Sequence, residues 1–263
     1  MSIIIFIIVL SVLVIVHEAG HMFVAKFFNI RVDEFGLGYP PIMKKLFRWR
    51  GTDFTLNWLP FGGFVKIYGE NPDPEHKEIG NDSFQTKNHG AQAAVLVAGV
   101  VANLLFAWLL LSIVLLIGIN GNDGLLVKYS FFQAFWHGLL TTLKISWLII
   151  QSLGVLISGV FLGHANLADV IGPVGLVDYV GKAAAEGISF LFYFVALISI
   201  NLSIVNLFPV PALDGGRLLF VAIESIWRKP IPPKVFNIMN TVGFAILVLL
   251  MILVTFRDIR HLI

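Results

Sequence analysis

Long apolar runs are the feature that most constrains this chain. Residues 2–28, 92–118, 188–208 and 235–256 are each apolar over a length that suits a membrane span, since about 20 apolar residues in a helix cross a bilayer. Only 13% of the residues are charged, against about 25% in soluble domains. The sequence therefore predicts a helical integral membrane protein. A net charge of +2, without a basic stripe carrying interleaved aromatic residues, argues against a nucleic-acid partner.

The first apolar run is expected to remain in the mature protein. It begins at Ser2 without a basic region, contains His17 and Glu18, and leads into no small-residue cleavage site. These features are not those of a removable signal peptide. The chain contains no cysteine, which excludes disulfides and metal sites built from thiolates.

The distribution of basic residues predicts the topology. Residues 29–90 hold eight of the 18 Lys and Arg residues, and a second basic group follows Asp214 at Arg217, Arg228, Lys229 and Lys234. Loops rich in Lys and Arg lie on the cytoplasmic side. Both regions are therefore expected inside and the N-terminus outside, with HEAGH toward the cytoplasmic half of the first span.

Residues 131–162 are apolar but ambiguous. Polar side chains recur in them at helical spacings, at His137, Thr141, Lys144, Gln151 and Ser158. Successive spans must run alternately inward and outward, and a crossing here would give the 188–208 span the wrong direction. We therefore expect an interfacial or re-entrant helix. An ordinary span with a polar face toward its neighbours is the alternative.

A β-hairpin is predicted within residues 52–68. Short alternating stretches flank Pro60-Phe61-Gly62-Gly63, and such a pattern is typical of a hairpin. Its apolar content places it at the membrane, where its backbone must be covered by protein. The expected fold is thus an all-α integral membrane protein with about four transmembrane helices, a membrane-associated β-hairpin and an interfacial or re-entrant helix.

The sequence HEAGH, within the first span, points to chemistry. His17 and His21 are four residues apart, which puts both imidazoles on one face of a helix. Two neutral imidazoles at this spacing can share one tetrahedral zinc ion. Glu18, beside them, can take a proton from a zinc-bound water, whose pKa is lowered to about 7. Ionisable residues inside a span are costly and usually functional.

Two histidines leave such a site one protein ligand short, since catalytic zinc usually has three. Asp214 ends an apolar segment and precedes Gly215-Gly216, on the same predicted side of the membrane. Its carboxylate could complete a His, His, Asp set. By itself, an aspartate before two glycines is more often a turn or helix cap.

These motifs resemble the site-2 protease family of intramembrane zinc metalloproteases, in particular the bacterial regulator of sigma-E protease group. The likeness covers nearly the whole chain. Besides HEAGH it rests on N-x-x-P-x-P-x-L-D-G, AGVVAN, FGGFVKIYGE and IGPVG, at Asn206–Gly215, Ala98–Asn103, Phe61–Glu70 and Ile171–Gly175.

The resemblance implies zinc held by His17, His21 and Asp214, with Glu18 as the general base. It also implies that Asn206 and Asn103 lie near the substrate, where Asn206 could hold the substrate backbone or a developing oxyanion. The plain alternative for either asparagine is a helix–helix hydrogen bond.

The resemblance further implies a multi-pass protein of the bacterial inner membrane with its active site toward the cytoplasm. Its expected partners are the lipid bilayer and single-span membrane proteins, such as anti-sigma factors already trimmed on the outer side, or remnant signal peptides. The oligomeric state is left open.

The hairpin suggests how a substrate would be held. A helix shields its own carbonyls, so it must unwind before cleavage. An exposed hairpin edge could pair with the unwound segment as an added strand, and Gly62 and Gly63 would permit a close approach. The alternative is a structural plug over the active site.

One departure from the family concerns domains. The sigma-E regulator group usually carries one or two PDZ domains between the second and third spans, but only residues 119–130 lie there, with GNDG at 121–124. We expect one membrane-embedded protease domain over 1–263, made of 1–118, the short connector 119–130, and 131–263. Whether a PDZ domain is naturally absent or was removed is left open.

Two rival functions remain. A metal-ion transporter would also place His and Asp in the membrane, but it predicts polar residues along a path rather than one cluster. A catalytically inactive relative that binds membrane helices is the other rival, and the intact Glu18 argues against it.

Overall fold

The computed structural model describes residues 1–71, 80–120, 126–163 and 172–262. Most of these residues are helical, in α1 (Ser2–Phe27), α2 (His89–Ile117), α3 (Phe131–Phe161), α4 (Pro173–Glu186), α5 (Ile188–Leu207), α6 (Asp214–Trp227) and α7 (Pro233–Leu262). Two long strands, β1 (Val32–Trp49) and β2 (Thr52–Ile67), separate α1 from α2, and a 3-10 turn at Phe84–Thr86 precedes α2. Two short strands, β3 (Ile119–Asn120) and β4 (Leu126–Val127), lie between α2 and α3.

Five helices in the described part of the chain are long and apolar enough to cross a membrane: α1, α2, α3, α5 and α7. The predicted count of about four is not confirmed, and α3 makes the difference. Its 31 residues form one continuous helix, about 46 Å long at about 1.5 Å per residue, which exceeds a hydrocarbon core of about 30 Å. Its mean hydropathy of 1.6 is the lowest of the five, because the polar side chains at helical spacing lower the average without interrupting the helix.

The long strands form an antiparallel hairpin that turns at Arg50-Gly51. Trp49 lies opposite Thr52, and φ is +46° at Arg50 and +82° at Gly51. Positive φ at both central positions is typical of the type I′ two-residue hairpin turn. The predicted turn at Pro60–Gly63 is not confirmed, because these residues lie inside β2.

The second half of β2 folds back onto β1. Phe35 of β1 lies opposite both Phe54 and Val65, so one segment of β1 pairs with two segments of β2. The register shifts between these segments, and Gly62 takes a φ of +79° there. From Phe35 to Leu37 the partners rise from Phe54 to Leu56 in one segment and fall from Val65 to Gly63 in the other, so β2 reverses its direction between them, beside the glycine pair.

The contacts divide the chain into two compact units. The first contains Met1–Phe6, Leu104–Ile204 and Leu247–Ile263, and the second contains Ile7–Asn103 and Val205–Ile246. In the first, Trp108 Nε1 donates to the Phe135 carbonyl over 2.8 Å, which joins α2 to α3. Residues 121–125, which include the predicted GNDG connector, lie outside the described residues, as does the first residue of IGPVG.

The second unit has a hydrophobic core that joins α1, the sheet, α2 and α6. Met22 and Ala25 of α1 pack there against Val32 and Phe35 of β1, and Val221 brings in α6. The remaining members of the core are Ile30, Ile67, Phe84, Val95 and Leu96. Burial of these side chains holds the C-terminal end of α1 in place, and every residue predicted for the site lies in this unit.

Candidate metal centre

The two histidines of HEAGH lie side by side on α1. His17 and His21 are each only 6% exposed, and their Nε2 atoms are 3.2 Å apart. The helical spacing of four residues brings both rings to one face, as the sequence predicted. Buried imidazoles without a protein carboxylate or metal would be costly in such an apolar helix.

Asp214 is the third member of the cluster. Its Oδ2 lies 2.9 Å from His17 Nε2 and 3.3 Å from His21 Nε2. Asp214 is the first residue of α6, and the two glycines after it explain its position. A Cβ at Gly215 would overlap the carbonyl oxygens of Leu207 and Phe208, so only glycine lets the start of α6 pack beneath the end of α5.

The three groups fit a zinc ion in their geometry and in their chemistry. Imidazole nitrogen and carboxylate oxygen are common zinc ligands, with bonds of about 2.0–2.1 Å. Tetrahedral angles then separate any two ligand atoms by about 3.3 Å. The observed separations of 2.9, 3.2 and 3.3 Å lie close to that value. Three protein ligands leave one tetrahedral position open, which is typical of catalytic zinc sites.

The charge of Asp214 suits a ligand. Burial raises the pKa of its carboxyl, but hydrogen bonds and charge interactions with His17 and His21 outweigh burial and hold the pKa well below its usual range. The group is therefore an anion at neutral pH, as a metal-binding carboxylate must be.

A second layer of contacts orients the histidines. His21 Nδ1 donates to the Val95 carbonyl over 2.7 Å, which leaves Nε2 with its lone pair facing the cluster. A Cβ on Gly99 would stand 2.7 Å from His17 Cε1 and 2.8 Å from its Nε2, and closer still to His21 Nε2. Helix α2 can therefore pack this close to the cluster only because residue 99 has no side chain.

Glu18 lies next to the cluster without belonging to it. Its Oε2 accepts a hydrogen bond of 3.1 Å from the backbone N–H of Val65 in β2. The candidate metal cluster contains only His17, His21 and Asp214 among the described residues. The carboxylate is thus held by the sheet, one residue along the helix from the first ligand.

Both predicted asparagines approach His17. The Asn103 amide lies 3.3 Å from Nδ1, and the Asn206 amide lies 3.4 Å from Nε2. Asn103 is fully buried. The resemblance implied that these two residues lie near the substrate, and that role stays a prediction.

Gly62 and Gly63 lie over α1, one turn before His17. A Cβ on Gly62 would meet Val14 at 3.5 Å, and a Cβ on Gly63 would stand 2.8 Å from the Gly36 carbonyl oxygen. The approach of Gly63 to β1 is therefore close, whereas a Cβ at Gly62 would make an ordinary contact with α1. Their contact with a substrate stays a prediction.

Sequence reasoning missed Gly99 and Val65. Gly99 stands four residues before Asn103, so the two share a helix face, and this spacing could have indicated a close approach. The N–H of Val65 carries no side-chain signal, since any residue there would supply it.

Apolar helices and a buried His, His, Asp cluster with a neighbouring glutamate define this chain as a multi-pass membrane protein with a metalloenzyme site. The model of peptidase family M50 matches residues 5–250. The chain belongs to this family, the site-2 proteases, and is a zinc metalloprotease.

Individual relatives agree with the family match. A Clostridium perfringens protein with zinc metalloprotease in its name is 30% identical over 331 residues, covering 95% of this chain and 96% of that protein. A similarly named protein of Clostridium acetobutylicum is 27% identical over 99% of this chain and 98% of its own length. Zinc metalloprotease RasP of Oceanobacillus iheyensis is 44% identical over 128 residues, which cover 49% of this chain and 29% of that protein.

Proposed function

We propose that this protease holds zinc through His17, His21 and Asp214 and hydrolyses a peptide bond within or near a transmembrane helix of another protein. The observation that carries the proposal is the convergence of three ligand atoms, 2.9–3.3 Å apart, beside Glu18 in an apolar helix. When bound, zinc would act as a Lewis acid and would make a water molecule nucleophilic at neutral pH.

Glu18 serves as the general base in this proposal. The Val65 N–H binds one carboxylate oxygen, and a carboxylate has a second oxygen that can accept the proton of the attacking water. The same group then passes the proton to the leaving amine, as general acid–base catalysis requires. The hydrogen bond from β2 fixes the orientation of the carboxylate while it does so.

Asn103 is proposed to set the proton position on His17. Coordination through Nε2 leaves the ring proton on Nδ1. The Asn103 amide lies 3.3 Å from this atom and can present its carbonyl oxygen there after a half-turn of the amide. Asn206, on the Nε2 side, is the better placed of the two to hold a substrate carbonyl or its developing oxyanion.

The sheet is proposed to receive the substrate as an added strand. β2 passes over α1 at Gly62 and Gly63, and at Val65 it contacts Glu18. A peptide paired along this strand would run beside the catalytic carboxylate, with its backbone extended and its carbonyls accessible. Single-span regulatory proteins, such as anti-sigma factors, and remnant signal peptides are the proposed substrates.

The basic residues support an inner-membrane location with the site toward the cytoplasm. The contacts of α4 support the view that α3 does not cross. Gly181 approaches Ser2 so closely that a Cβ would overlap it, and the Gly175 N–H donates to Asp258 over 2.9 Å. Both partners lie at the ends of α1 and α7 that the topology puts outside, so a crossing α3 would require the chain to return before α4.

We propose that the chain is a single protease domain without a PDZ domain. The match to the Clostridium perfringens relative extends over 331 residues, which is more than the 263 residues of this chain. The relative therefore has residues within the matched region that have no counterpart here. Substrate selection then falls to the membrane-embedded part.

The test is cleavage of reconstituted single-span substrates by wild type and Glu18→Gln. The glutamine keeps the size and the hydrogen bond from Val65 but loses the base, so we expect about wild-type zinc content and a loss of cleavage of about 10²-fold or more. Full activity of this variant would exclude Glu18 as the base. An absence of cleavage by wild type across candidate substrates would favour the inactive relative, and zinc crossing the vesicle membrane would favour the transporter.

A further inference from the structure

A polar cavity of about 520 Å³ lies in the second unit, and its lining residues do not include the metal cluster. The segment that leads into α2 forms one wall, and the end of α6 with the turn that follows forms the other. The side chains that determine its character are Lys87, His89, Gln92, Glu224, Arg228 and Lys229.

Positive charge dominates this cavity. Lys87, Arg228 and Lys229 have no carboxylate within ion-pair distance among the described residues. Glu224, its only acidic lining residue, already accepts the backbone N–H of Ile231 over 2.7 Å. Three cations therefore face a cavity whose one carboxylate is partly engaged, so an anion would be attracted to it.

Hydrogen bonds fix the two walls of the cavity. Arg228 takes a left-handed conformation with φ of +55°, and its N–H closes α6 by donating to the Glu224 carbonyl. On the other wall, the buried Gln92 amide donates to the carbonyls of Phe84 and Lys87, each over 3.1 Å. The cavity walls are thus tied in place, unlike a chance group of surface lysines.

The cavity lies at the ends of two candidate membrane spans. α2 begins at His89, and α7 begins at Pro233, four residues after Lys229. Ile226 and Trp227, the last two residues of α6, are 78% and 70% exposed. Tryptophan and basic residues next to span ends are typical of the level of lipid headgroups.

We propose that this cavity binds the phosphate group of an anionic phospholipid. The three cations are opposite in charge to the headgroup phosphate, and the exposed Ile226 and Trp227 can contact the acyl chains. The cavity is formed in part by the end of α6, whose first residue is Asp214. The bound lipid would therefore stabilise the helix that carries one of the metal ligands, while the site itself is independent of catalysis.

The test is lipid binding to the purified full chain, with retained lipids counted by native mass spectrometry. Phosphatidylglycerol, phosphatidylcholine and inorganic phosphate are the three probes. We expect tight retention of phosphatidylglycerol and an affinity about thirtyfold weaker in the double variant Arg228→Gln, Lys229→Gln. The matched control is Lys44→Gln, Lys66→Gln, which removes the same charge from exposed positions outside the cavity and should bind like wild type.

Each other outcome overturns the proposal. Unchanged retention in the Arg228, Lys229 variant excludes the cavity, and an equal loss in both double variants shows only general attraction to charge. Equal binding of phosphatidylcholine removes the preference for anionic lipid. If phosphatidylglycerol is not retained and inorganic phosphate binds to wild type but not to the Arg228, Lys229 variant, the cavity is a site for soluble phosphate instead. If thermal unfolding shows that the double variant does not fold, Lys87→Gln takes its place in the same comparison.

Discussion

Gly99→Ala is predicted to damage the metal site through a single methyl group. The added Cβ would lie 2.7 and 2.8 Å from two atoms of the His17 ring and closer to His21 Nε2, whereas ordinary contacts begin at 3.4 Å. Both rings must therefore retreat by about 0.6 Å or more, or α2 must shift, at a cost of about 1–3 kcal/mol for an overpacked site. Neither adjustment keeps the ligand atoms at their present separations.

The expected result is a loss of zinc affinity of about 10- to 100-fold, since contacts that orient metal ligands are worth this much. Zinc content by elemental analysis and affinity by chelator competition measure it directly. Gly154→Ala is the matched control, because it places the same methyl group on a helix with no atom within 4 Å. That control should keep its zinc and gain up to about 1 kcal/mol of helix stability. Wild-type zinc affinity in Gly99→Ala would refute the reasoning.

Two further predictions concern contacts around the same site. Arg217→Gln should lower the stability of the protein by about 2 kcal/mol, because Arg217 pairs with the partly buried Glu70 and so joins α6 to the residues that follow β2. Thermal unfolding measures the loss, and exchanging the charges of the two residues should restore part of it; no recovery would contradict a direct ion-pair role. Asn103→Asp should keep zinc, because an oxygen still accepts the His17 Nδ1 proton, whereas Asn103→Leu should weaken zinc binding about 10- to 100-fold. Equal zinc affinities in the two variants would show that the acceptor at position 103 is unimportant.

The helices were largely predictable because each depends on a local pattern. The predicted spans at 2–28 and 188–208 correspond to α1 (Ser2–Phe27) and α5 (Ile188–Leu207). An apolar run of that length has few stable alternatives in a membrane. α3 was the exception, since its polar stripe is compatible with either a span or an interfacial helix, and length and hydropathy alone do not separate the two.

The sheet was less predictable because pairing depends on distant residues. The glycines at 62 and 63 are a good local signal for a turn, and β2 reverses beside them, yet the tight turn that joins β1 to β2 occurs at Arg50-Gly51. Arg50 accepts the steric cost of a positive φ there because the tight turn requires that conformation. Gly63 permits the close packing of β2 on the Gly36 carbonyl of β1, which no local pattern encodes.

The sequence alone determined the membrane class, the two histidines on one helix face and the glutamate beside them, because each follows from composition or from the spacing of neighbouring residues. Only the tertiary structure decided that Asp214, 197 residues from His17, lies within 2.9 Å of it, that Gly99 leaves space for the histidine rings, and that Val65 binds Glu18. These contacts join elements far apart in the chain, and their distances depend on the packing of the core that holds those elements together.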